Sequence, residues 1–151
     1  MKEISYRKVE ITDIPHLVEL RKSQLLEEGE IAMCDITESL HNFYQTRLSD
    51  GTFAAWVAIV VGEIIATSGI SFTEKPPYYS NPTGKIGIVS NMYTLPQYRR
   101  QGIAKKLLNF AITAAREHGC GVIHLTASDA GACLYQHCGF VRNENFFQLK
   151  L

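Results

Sequence analysis

Residues 91–108 read "NMYTLPQYRRQGIAKKLL". An extended run, Asn91 to Thr94, meets Leu95-Pro96, then two arginines and a single glycine, and a helix starts at once. From Gln101 the spacing predicts a helix with Ile103, Ala104, Leu107, Leu108, Ala111, Ile112 and Ala115 on one face. Lys105, Lys106, Asn109, Thr113 and Arg116 fall mainly on the other, and Gly119 closes it. A helix start carries unpaired N–H groups and the positive end of the dipole, so it receives anions. Gly102 would let backbone approach a bulky anion, Ala104 keeps the next turn small, and Arg99 and Arg100 add charge at the mouth. A diphosphate meets those demands. A plain turn flanked by solvated arginines satisfies the same spacing. Two nucleotide motifs do not fit: there is no GxxxxGK(S/T), and one glycine stands where a dinucleotide fingerprint needs three.

Upstream, "KIGIVSNMYT" reads as a strand, and "EKPPYYSNPTG" before it as a loop, since its three prolines remove backbone donors. "TFAAWVAIVVGEIIATSGISF" is a hairpin turning near Val61-Gly62-Glu63. Residues 2–11 alternate as a first strand. "TDIPHLVELRKSQLLEEG" predicts a helix with Thr12 as N-cap, Pro15 in the first turn and Gly29 as the stop. A second helix is expected from Asp35, with Glu38 completing a capping box. Downstream come an apolar strand "GVIHLTAS", a short helix "DAGACLYQHCG" and a final strand pair "FVRNENFFQLKL". The order β-αα-βββ-α-β-α-ββ implies a mixed α+β sheet with helices on its faces. No repeat or linker interrupts it, so residues 1–151 read as one domain.

The chain's zero net charge argues against a broad basic nucleic-acid-binding face. Residues 1–50 hold ten acidic and six basic side chains, a net −4, so the remaining 101 residues carry +4. That split suits a protein that meets an anion with its second half. No stretch reads as a signal peptide or a membrane span, and the expected location is cytoplasmic. Cys34, Cys120, Cys133 and Cys138 lack CxxC spacing, so reduced, mostly buried thiols and no metal site are expected. Cys133 in particular reads as a small buried residue rather than a reactive thiol, and His124 as a satisfied core histidine.

"RRQGIA" matches the (Q/R)-x-x-G-x-(G/A) motif of the GNAT N-acetyltransferases, and "LYQHCGF" their LYxxxGF signature, with matching spacing and element order. The chain therefore resembles that family over essentially its whole length. The resemblance implies a mostly antiparallel, twisted mixed sheet of about seven strands flanked by about four helices. It implies acetyl-CoA as cosubstrate and an acetyl-transfer reaction in which a primary amine attacks directly in a ternary complex. The acetyl-pantetheine arm would lie along Met92, Tyr93 and Thr94, pairing with backbone of Met92 and Thr94. The diphosphate would be wrapped by amides from Arg99, Arg100, Gln101 and Gly102 to Ile103, Ala104 and Lys105. Ser128 stands where many relatives carry asparagine, and the resemblance implies that it too bonds the cofactor arm; Gly131-Ala132-Cys133 stands where the most similar often carry Gly-Arg-Pro.

Amine acetylation needs a neutral amine, a polarised carbonyl and a proton for the departing thiolate. The resemblance makes Tyr135 the proton donor and a backbone N–H near Met92 the polarising group. No acid occurs in "IGIVSNMYT", so the base is unassigned; Ser90 and Asn91 could orient a water, and Glu27, Glu28 and Glu30 lie near the expected acceptor border. The acceptor is expected to be a small-molecule amine, drawn to acidic and aromatic residues of the first two helices and the proline-rich loop. Those residues serve equally as a capping box and core. A non-catalytic acyl-CoA-binding module and an enzyme acting on a protein or peptide amine are the alternatives. Dimers are common in the family, so a homodimer is expected on resemblance alone.

Overall fold

One sheet takes its five strands in chain order: β1 (Ser5–Lys8), β2 (Phe53–Val60), β3 (Glu63–Glu74), β4 (Lys85–Thr94) and β5 (Val122–His124). The computed structural model describes residues 2–143 and 145–151. β1 to β4 are antiparallel neighbours, and β5 joins β4 in parallel. Four α-helices complete the fold: α1 (Ile14–Glu27), α2 (Thr37–Asp50), α3 (Ile103–Glu117) and α4 (Asp129–His137).

The two-residue period of β2 sorts these helices onto opposite faces. Phe53, Ala55 and Val57 pack with Ile14, Leu17 and Val18 of α1 and Tyr44 of α2. Ala54, Ala58 and Val60 point the other way, into clusters that hold Ile103, Leu107, Leu108 and Ala111 of α3. Each buried side chain of this size contributes about 1.5–3 kcal/mol. Packing therefore anchors the start of α3, where no side chain caps the helix.

α1 opens on an ion pair. Arg7 of β1 donates to both Asp13 oxygens, at 2.6 and 2.9 Å, and the Glu10 N–H donates to Asp13 at 2.8 Å. The helix therefore begins behind Asp13 rather than at a Thr12 cap. The expected Asp35–Glu38 box also does not form. Asp35 instead accepts from the Thr37 N–H at 2.9 Å and from its hydroxyl, a local turn that competes with capping.

β4 carries the irregularity that shapes the site. Ser90 faces Gly69 and Tyr93 faces Thr67, so Asn91 and Met92 together oppose Ser68 in a bulge. Asn91 sits there at φ 56°. β5 pairs only with Ile86 to Ile88, so from Val89 onward that edge of β4 has no strand beside it. The predicted strand 121–128 is cut to three residues, Val122–His124, which pair with Ile86–Ile88.

Among the described residues the strand count is five rather than about seven. The expected final pair is missing among the described residues of 140–151, and Glu144 lies outside them. Phe147, Leu149 and Leu151 of that segment are exposed. The thiols are also less buried than expected, with Cys34 and Cys133 exposed and Cys120 and Cys138 partly so. His124 is exposed at the end of β5, not held in the core. Among the described residues no helix is long and apolar enough to cross a membrane, and no group of three or more His, Cys, Asp or Glu is placed to hold a metal ion.

Candidate active site

The gap left beside β4 is the place to begin. The Leu95 N–H donates to the Ile65 carbonyl of β3 at 2.9 Å. Strand alternation then turns the amides of Met92 and Thr94 away from β3, toward the open edge. The carbonyls on that edge are already engaged. Met92 C=O accepts from Gln24 Nε2 of α1 at 3.2 Å, and Thr94 C=O accepts from Arg99 Nε at 2.9 Å. The N–H groups of these two residues have no partner among the described residues and can pair with an extended ligand.

The bulge is held from the α1–α2 side. The Asn91 amide donates to the Tyr44 hydroxyl, and both residues are buried. Burial pushes the Tyr44 phenol up, with the Asn91 bond opposing it more weakly. Gln24, 7% exposed, is fully committed: its Oε1 accepts from Arg21 at 3.1 Å, and its Nε2 donates to Met92 C=O and to Glu28 Oε1 at 3.1 Å. A glutamine on the buried line Leu17, Leu20, Gln24 was the available sequence signal for this contact.

At the start of α3, Arg100 and Gly102 are both left-handed, at φ 61° and 78°, on either side of Gln101. This alternation builds a concave run of amides. The first-turn N–H groups of Ile103, Ala104 and Lys105 have no intrahelical acceptors. A Cβ built on Gly102 would meet nothing within 4 Å, so its surroundings are open. The Ile103 side chain lies in the core, leaving its backbone as the part able to meet a ligand. Gln101 and Lys105 are exposed.

The Arg99 side chain is engaged across the site. Its guanidinium binds Glu27 through two contacts, at 2.7 and 3.0 Å, and lies 5.6 Å from the Tyr93 ring centroid. The clasp joins the end of α1 to the loop before α3. Arg99, then Tyr93, holds the Glu27 carboxyl below its ordinary range, while burial and then Glu27 push the Tyr93 phenol up. Glu27 is thus a partner, not a free carboxylate.

Tyr135 stands on α4, half-buried and edge-on to Phe140 with centroids 5.8 Å apart. Burial first, then the charges of Glu28 and Cys138, push its phenol up, so it stays protonated through neutral pH. Ser128 caps α4 by accepting from the Gly131 N–H at 3.3 Å. A side chain on Gly131 would come within 3.2 Å of the Tyr135 ring, so glycine there leaves the ring its place. A separate concavity of about 610 Å³, near Glu10, Phe53, Phe72 and His118, includes none of these residues.

Together these features form an anion-receptive helix start, an open strand edge and a protonated phenol within one fold. Residues 51–142 match the family model described as an acetyltransferase (GNAT) domain. The chain belongs to the GNAT acetyltransferases and is an acyltransferase. An uncharacterized N-acetyltransferase of Escherichia coli K12, YjgM, is 29% identical over 140 residues, 89% of this chain and 80% of that protein. A predicted acetyltransferase of Clostridium acetobutylicum, solved with acetyl-CoA, is 36% identical with a TM-score of 0.94, over 98% of this chain and 96% of that one. A GCN5-related N-acetyltransferase of Ralstonia eutropha JMP134 is 26% identical with a TM-score of 0.90, over 98% and 99% of the two chains.

Proposed function

We propose that the protein transfers the acetyl group of acetyl-CoA to a primary amine of a small molecule, by direct attack in a ternary complex. The observation that carries this reading is the β4 edge: a bulge at Asn91, no neighbouring strand beyond Ile88, and two outward amides leading to the uncapped start of α3. The Clostridium relative, solved with acetyl-CoA, supports the choice of cosubstrate.

Acetyl-CoA supplies an activated thioester. The N–H groups of Met92 and Thr94 hold its arm, with Tyr93 beside them. Amides from Arg100, Gln101 and Gly102 through Ile103, Ala104 and Lys105 surround the diphosphate, and Arg99 fixes the loop that presents them. Ser128 positions α4 by capping it. The Met92 N–H is aimed where the acetyl oxygen gains charge, and a preorganised donor there costs no reorganisation during reaction. Tyr135 keeps its proton at neutral pH and delivers it to the departing sulfur.

Thiol release from acetyl-CoA across a panel of amines, polyamines, aminoglycosides, amino acids and short peptides tests the proposal, with Tyr135→Phe beside the wild type. Loss of a positioned acid should lower kcat by about 100-fold. The rise in Tm caused by acetyl-CoA should survive. Acetylation confined to peptides would replace the small-molecule acceptor, and a mutant as fast as wild type would remove Tyr135 from the chemistry.

A further inference from the structure

We infer that Glu28 is the carboxylate that receives the acceptor's ammonium group and takes its proton, and that Gln24 positions it. This rests on the acetyl-transfer reading above and deepens it by naming the acceptor as a protonated primary amine.

The geometry places Glu28 two hydrogen bonds from the strand edge where the acetyl group is held. Gln24 Nε2 donates to both Met92 C=O and Glu28 Oε1, and its orientation is fixed by Arg21 on its other end. Because Gln24 is buried, this bridge is part of the packed structure rather than a surface contact. Glu28 itself is exposed, and its second oxygen takes no hydrogen bond among the described residues. It is the C-cap of α1, whose last turn contains no basic residue. The negative helix end and the carboxylate therefore act together on a cation. Burial first, and then the Glu28 charge, push the Tyr135 phenol up.

Several ionisable groups around the pair are already engaged. On α1, Arg21 is bonded to Gln24 and Glu27 is bound to Arg99, which also covers Tyr93 at the end of β4. On α2, Tyr44 is bonded to Asn91. On α4, Tyr135 is the proposed acid. Glu28 is the carboxylate that Gln24 orients, whereas Glu30, two residues on and exposed, makes no side-chain bond into this network among the described residues.

The proton account closes. An ammonium gives one proton to Glu28, and the freed nitrogen pair forms the N–C bond to the acetyl carbon. The C–S bond breaks, sulfur keeps its electron pair, and Tyr135 protonates it. The nitrogen's surplus proton restores the phenol, and Glu28 releases its proton to solvent. One proton is released for each amide and thiol formed.

The test is the pH profile of kcat/KM for wild type, Glu28→Gln and Glu28→Asp, using the panel amine on which wild type releases most thiol. The Tm rise with acetyl-CoA is measured alongside. A lost base should lower kcat/KM by about 100-fold at neutral pH. Activity should recover as pH approaches the amine's own pKa, while the aspartate variant keeps part of the neutral activity and all three keep the Tm rise. A loss equal at every pH, or no loss, overturns the role of Glu28 and leaves the enzyme reading standing. Wild-type silence on every amine overturns that reading, and this inference with it.

Discussion

The two walls of the cleft are built from different materials. On one side, the β4–α3 junction offers backbone: outward amides at Met92 and Thr94, left-handed residues at Arg100 and Gly102, and an uncapped first turn. On the other side, the end of α1 offers side chains: Gln24 bridging to Met92, Glu27 locked to Arg99, and Glu28 exposed beside them. A backbone surface tolerates exchange of the residues that carry it, provided the dihedral angles survive. A side-chain surface changes with each substitution. The first wall is suited to a ligand of constant shape, and the second is where an acceptor can be chosen. The adjacent glutamates sharpen the contrast, for one is spent on structure and its neighbour is left to solvent.

Three substitutions probe this division, in order of decreasing effect. Asp13→Asn removes the carboxylate that anchors the root of the side-chain wall, leaving Arg7 without its partner. Because Asp13 is 7% exposed, the cost should be about 2–3 kcal/mol, measured by urea unfolding. Arg7 holds the Asp13 carboxyl below its ordinary value, so its contribution is present above about pH 3.9 and is lost as pH falls through the depressed native value. Acid unfolding of Asp13→Asn should accordingly begin from a lower plateau and fall less steeply. Gly102→Val attacks the backbone wall. The left-handed angle costs an L-residue roughly 1–2 kcal/mol, and acetyl-CoA affinity should drop by about tenfold, read by calorimetry. An unchanged affinity would mean that the cradle lies elsewhere.

Glu27→Gln should matter least. Both partners in the Arg99 pair are near 40% exposed, so the loss should stay under about 1 kcal/mol and shrink further in high salt. Thermal melts at two ionic strengths settle it. A larger, salt-independent drop would show that the clasp holds the two walls together rather than merely decorating their join.

Legibility followed the same division. The helix of 103–117, its apolar face, the Val61-Gly62 turn, the strand ending at Thr94 and the short helix bearing Tyr135 could all be read from period and punctuation. These are local properties, fixed by dihedral preference and by which residues face a core. Thr12 failed as a cap because Arg7, six residues upstream, claims Asp13 beside it, and the pairing of Arg99 with Glu27, far away in sequence, could not be read from spacing. The expected final strand pair does not form among the described residues, although β5 is an edge strand of the sheet.

By itself, the sequence determined most of the elements, their order and the left-handed glycine at the start of α3, since each depends on residues a few positions apart. Only the tertiary structure decided which polar groups pair across the cleft. Gln24 and Met92 are 68 positions apart, as Tyr44 and Asn91 are 47. Nothing local distinguishes a glutamine that will bridge a helix to a strand from one that will face water; burial by the folded chain makes that difference.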